Sequence, residues 1–296
     1  MRDYLSHDTS RATFLMRHTY PALACLALSA LSALSLSAPV AAQDAEKNWS
    51  GNINLVSQYR FRGIDQSWGQ PALQGGVDYK KPNGWYAGAW ASTISPRSYA
   101  GGHSELDLYG GYNGKINDDW SYTAGLYAYT YPGANVSKTA CPSAALPAPC
   151  AALPGQSYNT LEANAGVSWK QWSYKLSVAG SDYFGANTRT GYDGRTRGTL
   201  YHDISASFEL PQGLNLGLHA GYTDVAARIG GNSANYWDWR ASLGKNFDHG
   251  WNGSVSVVGA GNNTLYRPPL GGLSLKDGQT RSLNRTVVVL QVGKTF

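Results

Sequence analysis

Residues Thr286–Phe296 read TVVVLQVGKTF. Counting back from Phe296 in steps of two gives Lys294, Val292, Leu290 and Val288, one apolar face of a β-strand broken only at Lys294. A soluble domain rarely stops in the middle of an apolar strand. A barrel that must pair its last strand with its first does, because closure removes both sheet edges. A terminal Phe on an amphipathic last strand is also what outer-membrane barrels present to their assembly machinery. The stretch therefore predicts an all-β, antiparallel, up-and-down transmembrane barrel.

The other end of the sequence agrees. Arg2, Arg11 and Arg17 precede an apolar run from about Pro21 to Val40, which closes on Val40-Ala41-Ala42 before Gln43-Asp44. This is the layout of a secretory signal peptide over residues 1–42, with Met1 or Met16 as its start and the barrel domain over 43–296. Mean hydropathy is −0.35, as expected of strands that alternate apolar and polar residues. The chain holds 20 Tyr and 10 Trp but only 2 Met, and Tyr and Trp suit a membrane–water boundary through an apolar body and a polar tip. Cys141 and Cys150 bracket CPSAALPAPC. In an oxidising compartment they are expected to form one disulfide stapling a loop, a metal site being the rival without a nearby His.

Period-two alternation predicts twelve strands near 50–60, 71–81, 85–95, 104–116, 120–131, 158–170, 172–182, 200–210, 214–223, 236–247, 251–260 and 286–296. Every second connection is short: Pro82-Asn83-Gly84, Asn117-Asp118-Asp119, Gln171, Pro211-Gln212-Gly213 and Asp248-His249-Gly250. The others are long. Tight turns on the periplasmic side and long loops outside is the arrangement of an outer-membrane barrel. Trp49, Trp85, Trp120, Trp172 and Trp251 open strands, four of them directly after a short turn, and are expected to form an aromatic girdle at the periplasmic interface. Tyr129, Tyr131, Tyr183, Tyr222, Tyr236 and Trp237 stand near the opposite strand ends as candidates for an outer girdle.

The same parity sorts the interior. With Ile53, Leu55 and Tyr59 facing lipid, Arg60 and Arg62 face the lumen. So do Asp78, Glu105, Asp107, Glu162, Lys175, Asp203, Glu209, Asp238 and Arg240. These are the candidate pore-lining residues, and they need water or partners because an unpaired buried charge is costly. Arg62, Glu105 and Asp107 are the expected pairing group. A lumen of this strand number is narrow. The long loops together carry +7 against +4 for the chain from Gln43 onward, suited to lipopolysaccharide phosphates or to anions at the mouth.

Chemistry is not expected. His103-Ser104 is the one suggestive pair, and adjacent strand residues point to opposite faces. No phosphate loop, metal-ligand cluster or cofactor motif stands out, so catalytic and metal residues are expected to be none. The expected partners are outer-membrane lipid and lipopolysaccharide, the barrel assembly machinery and small hydrophilic solutes, and not nucleic acid. The sequence fixes no oligomeric state.

One stretch resembles a known family. Ser57-x-Tyr59-x-x-Arg62-Gly63, Gln66-Ser67 and Pro71-Ala72-x-Gln74-Gly75 are followed by Asp78-Tyr79, Gly84-x-Tyr86-x-Gly88-x-Trp90 and Glu105-x-Asp107-x-Tyr109. Together they resemble the TorF family of porins, also catalogued as the Gcw_chp family of proteobacterial outer-membrane proteins. The resemblance implies an outer-membrane barrel and a channel for passive diffusion, and supplies neither a substrate nor functional residues. A non-conducting barrel with a structural or binding role is the alternative, and a secreted lectin-like sandwich a more distant one.

Overall fold

A computed structural model of the chain describes residues 48–138, 154–268, 274 and 277–296. The segment read as a signal peptide and the pair Cys141 and Cys150 lie outside the described residues.

Twelve antiparallel strands close into a barrel. In chain order they are β1 (Trp49–Val56), β2 (Ala72–Lys80), β3 (Trp85–Thr93), β4 (Ser104–Lys115), β5 (Trp120–Thr130), β6 (Thr160–Trp169), β7 (Trp172–Ala179), β8 (Leu200–Leu210), β9 (Leu214–Asp224), β10 (Tyr236–Asn246), β11 (Trp251–Ala260) and β12 (Val287–Thr295). Each pairs with its sequence neighbour, and β12 closes on β1 with Asn52 opposite Thr295 and Val56 opposite Gln291. The last residue completes that seam, since Phe296 and Gly51 exchange backbone hydrogen bonds at 2.8 and 3.4 Å.

Alternation explains the two surfaces. Leu55, Leu73, Val77, Leu108, Leu126, Leu161, Val167, Ile204, Leu243, Val255, Val288, Leu290 and Val292 all point outward and are exposed. A continuous apolar band of this kind on every side is far larger than the patches a monomeric soluble protein leaves bare. Lipid covering it would recover the hydrophobic energy that water denies. Trp49, Trp85, Trp120, Trp172 and Trp251 each occupy the first position of a wall strand and are exposed. They lie at the short-turn end, and Lys294 Nζ stands 5.4 Å from the Trp251 ring and 5.5 Å from that of Phe296.

The first expected strand is shortened. β1 ends at Val56, and residues 57–71 leave the wall and fold into the barrel. Within them Arg60–Phe61 pairs with Ile64–Asp65 around the two-residue turn Arg62-Gly63. Both turn residues have positive φ, 41° and 78°, the left-handed geometry that a tight hairpin needs. Gly63 fits because a Cβ there would lie 2.7 Å from both Ala260 Cβ and Gly259 O on the far wall. Arg62 holds the same left-handed region with a side chain, which costs about 1–2 kcal/mol. Tyr59, expected to face lipid, is 4 % exposed and packs on Trp90 with ring centroids 5.7 Å apart. The strand does not run regularly past Val56, so parity counted through it fails beyond that residue.

Candidate functional site

The interior divides into two halves. Towards the short turns it is lined by Asn52 and Asn54 on β1, Asn164 on β6, Ser205 and Ser207 on β8, Ser254 on β11 and Gln291 on β12, with glycines between, and by the inward tyrosines Tyr86 on β3, Tyr109 on β4 and Tyr127 on β5. Asn54 and Gln291 are joined at 3.2 Å and Ser207 and Asn215 at 3.1 Å. Towards the long loops the interior is filled. Phe61, Tyr99 and Phe184 have no exposed surface, and Tyr129, Tyr131, Tyr183 and Tyr236 are buried with them. These four tyrosines therefore do not form an outer girdle. Phe61 meets Tyr129 and Phe184 edge-on at 6.2 and 5.9 Å, and Tyr99 stacks on Tyr131 at 4.4 Å. Trp237 remains exposed on the outside, its ring 4.5 Å from Tyr222.

Segment 57–71 is the plug of this outer half, and Arg62 is its anchor. The guanidinium forks onto Glu162 of β6, with Nη1 donating to Oε1 at 3.1 Å and Nη2 to Oε2 at 2.7 Å. Nη1 also donates to the Tyr183 hydroxyl at 2.8 Å. The cation lies 3.8 Å from the centre of the Tyr201 ring on β8, within the range of a cation–π contact. Burial alone would push this guanidinium down, but the Glu162 carboxylate and Tyr183 hold it well above its usual value, so it stays charged. Arg62 was expected to pair with Glu105 and Asp107. It pairs with Glu162 instead, because the hairpin carries it across the lumen.

The base of the plug is tied to the loops beside it. Arg60 Nη1 donates to the Leu283 carbonyl at 2.7 Å, and its Nη2 lies 3.6 Å from Asp65. Burial lowers the Arg60 guanidinium to about 10, with Asp65 opposing that shift and Arg281 and Arg285 adding to it. Asp65 also accepts from Arg281 Nε at 2.8 Å and from the backbone of Gly69 at 3.0 Å. The Tyr99 hydroxyl donates to Gln66, so residues 94–103 join the same closure.

Below Arg62 a polar network continues down the wall. The Tyr201 hydroxyl donates to Asp238 Oδ1 at 3.2 Å and lies 3.0 Å from His219 Nε2. His219 Nε2 is 2.9 Å from Asp238 Oδ1, and its Nδ1 is 3.1 Å from both Asp203 Oδ1 and Ser205 Oγ. Ser205 donates to Asp203 at 2.7 Å. Room for Tyr201 comes from Gly221, where a Cβ would lie 2.3 Å from the tyrosine oxygen. Register makes this cluster: Lys175, Asp203, Gly221 and Asp238 are successive partners across β7 to β10, and His219 faces Arg240 one step lower. Sequence reading placed Asp203, Lys175, Asp238 and Arg240 on the inward face but missed His219 and Tyr201. The same parity on β8 and β9 points both inward, and only the register shows that they meet.

The remaining candidates are spread out. Asp78 on β2 accepts from the Tyr109 hydroxyl at 2.8 Å, and Tyr109 stacks on Tyr127 at 4.9 Å. Glu105 and Asp107 are fully buried on β4. Glu209 is exposed close to the short-turn end of β8, away from the network. The interior thus has a closed outer half held by a buried ion pair and a hydrophilic inner half. Among the described residues, Ser205 beside His219 is the one serine–imidazole contact within it.

A family model described as "Bacterial protein of unknown function (Gcw_chp)" matches residues 40–296. Among solved structures, the chain is similar to the KdgM porin in complex with disordered oligogalacturonate, at 10 % identity and a TM-score of 0.48 over 83 % of this chain and 98 % of that one. The NanC porin gives the same four values. Pseudomonas aeruginosa OpdK with vanillate is similar at 11 % identity and a TM-score of 0.39, over 86 % of this chain and 67 % of that one. No curated protein matches.

Proposed function

The chain belongs to the Gcw_chp family, and for this member we propose an outer-membrane channel that passes small hydrophilic solutes by diffusion, gated by the plug 57–71. The porin character implied by the resemblance to the TorF family is part of this proposal. The continuous apolar band and the terminal tryptophans support a bilayer location with the short turns on the periplasmic side. The observation that carries the reading is the division of the interior. An inner half lined by Asn, Ser, Gln and Gly together with the hydroxyl-bearing Tyr86, Tyr109 and Tyr127 is suited to water, whereas the outer half is shut by a segment that is not part of the wall. Such a segment can leave without breaking a single strand pairing. The mechanism involves no covalent step. Solute enters a hydrated vestibule, and Lys175, Arg240 and Asp78 give its wall mixed charge.

A second reading is favoured by one observation. The outer half is packed like a protein core around Phe61, Tyr99 and Phe184, as in a barrel that never opens and serves as a structural or binding element. Swelling of liposomes that contain the purified chain separates the two. The channel reading expects slow swelling in a pentose for wild type, faster swelling for Glu162→Gln, and none in a trisaccharide. Folded barrels of both forms that give no swelling in any sugar overturn it.

A further inference from the structure

Two acidic side chains of the interior take no part in the networks above. Glu105 and Asp107 stand two residues apart on the inward face of β4, 0 % and 1 % exposed. Glu105 Oε1 accepts from the Tyr131 hydroxyl at 2.8 Å. The plug residue Tyr59 also turns its hydroxyl towards Glu105, whereas neither oxygen of Asp107 accepts a hydrogen bond from the protein. The cations nearby are committed elsewhere: Arg62 to Glu162, and Arg60 to Asp65 and the Leu283 carbonyl. Asp107 lies opposite Trp90 in the β3–β4 register, and Trp90 carries the plug residue Tyr59 on its ring. Two adjacent carboxylates, sealed from water and without a counter-charge, are among the most costly arrangements a protein interior can hold.

We propose that Glu105 and Asp107 together bind one hard divalent cation of the calcium–magnesium class. The donors on offer are oxygens alone, which suits these ions and not the thiolate- or imidazole-seeking metals. Among the described residues no group of three or more His, Cys, Asp or Glu is placed to hold a metal. Two carboxylates are nevertheless an ordinary core for a hard divalent ion, which brings part of its own hydration shell into a buried site. One such ion matches both charges at once, where a monovalent ion leaves one over. Tyr59 belongs to the plug and rests on Trp90 beside this site. The cation thereby stiffens the wall against which the plug closes. The inference stands on these two side chains and holds whether or not the barrel conducts.

The test uses the full chain folded in a non-ionic detergent, with terbium as the calcium stand-in. Trp90 is placed to sensitise it. Wild type is expected to give saturable terbium emission that calcium displaces. It should also melt several degrees higher in calcium than in chelator at matched ionic strength. Glu105→Gln with Asp107→Asn should abolish both signals. Should that variant not fold, Trp90→Phe must lower the emission while keeping the calcium shift. Absence of saturable emission in wild type overturns the proposal, as does survival of the calcium shift in the double variant. A melting temperature that responds to pH but not to calcium overturns it too, because the carboxyls are then neutralised by protons.

Discussion

Arg62 concentrates the account at the scale of a single residue. It sits in a left-handed backbone position, crosses the lumen, forks onto Glu162 and covers the Tyr201 ring. Strain of this kind persists only where surrounding contacts over-determine it. Breaking a buried pair by removing one partner costs about 3–5 kcal/mol, while replacing both with apolar groups of similar volume is often close to neutral. Arg62→Met alone should therefore lower stability by about that amount in urea unfolding of the folded barrel. Arg62→Met with Glu162→Leu should recover most of the loss. Equal losses in the single and double variants would show that the pair contributes nothing beyond packing. The residue also marks where sequence reading stopped. Alternation through Tyr59 and Phe61 looks like a continuing strand, and the inward face was assigned to Arg62 on that basis. The strand ends at Val56, so that basis does not hold, and the partner is Glu162. A two-residue turn at Arg62-Gly63 is a local signal that was available, but where the hairpin tip lands depends on contacts with Ala260 and Asp238, nearly two hundred residues away.

At the scale of elements, strands were legible because one face meets an apolar surface and the other a polar one. Leu161, Ala163, Val167 and Trp169 against Glu162, Asn164 and Ser168 leave one register open, since a slip by one residue would turn every side chain over. The short turns carried Asn, Asp, Gly and Pro and fixed the hairpins. What strand patterns hid was the use of aromatic residues. Tyrosine is equally at home at an interface and in a filled lumen, so Tyr131, Tyr183 and Tyr236 were placed outside. For Tyr129 the parity of β5 counted from the outward Leu126 already points inward. The closing element gives a direct prediction. Phe296 completes the β12–β1 seam with two backbone hydrogen bonds, and the sequence reading expects this end to be presented to the assembly machinery. Deleting Phe296 should reduce the heat-modifiable folded form in outer membranes several-fold. Wild-type amounts in that variant would remove the terminal residue from any role in assembly.

At the scale of the molecule, closure and plugging are separate properties. The wall is complete without the plug, since all twelve strand pairings lie outside residues 57–71. The plug is fastened by Arg62 to Glu162, Asp65 to Arg281, Arg60 to the Leu283 carbonyl and Gln66 to Tyr99, together with aromatic packing around Phe61. A gate attached in this way opens at the cost of those contacts alone, whereas a core residue of the wall does not. The division into a hydrophilic inner half and a shut outer half is thus the claim on which the channel reading depends. Planar-bilayer recording of wild type beside a variant lacking Arg60–Asp65 tests it most directly. Wild type should show brief, small openings, and the shortened chain should hold a steady, much larger conductance. A folded plug-less barrel that stays silent would contradict the account, and so would a wild type that already conducts as strongly as the variant.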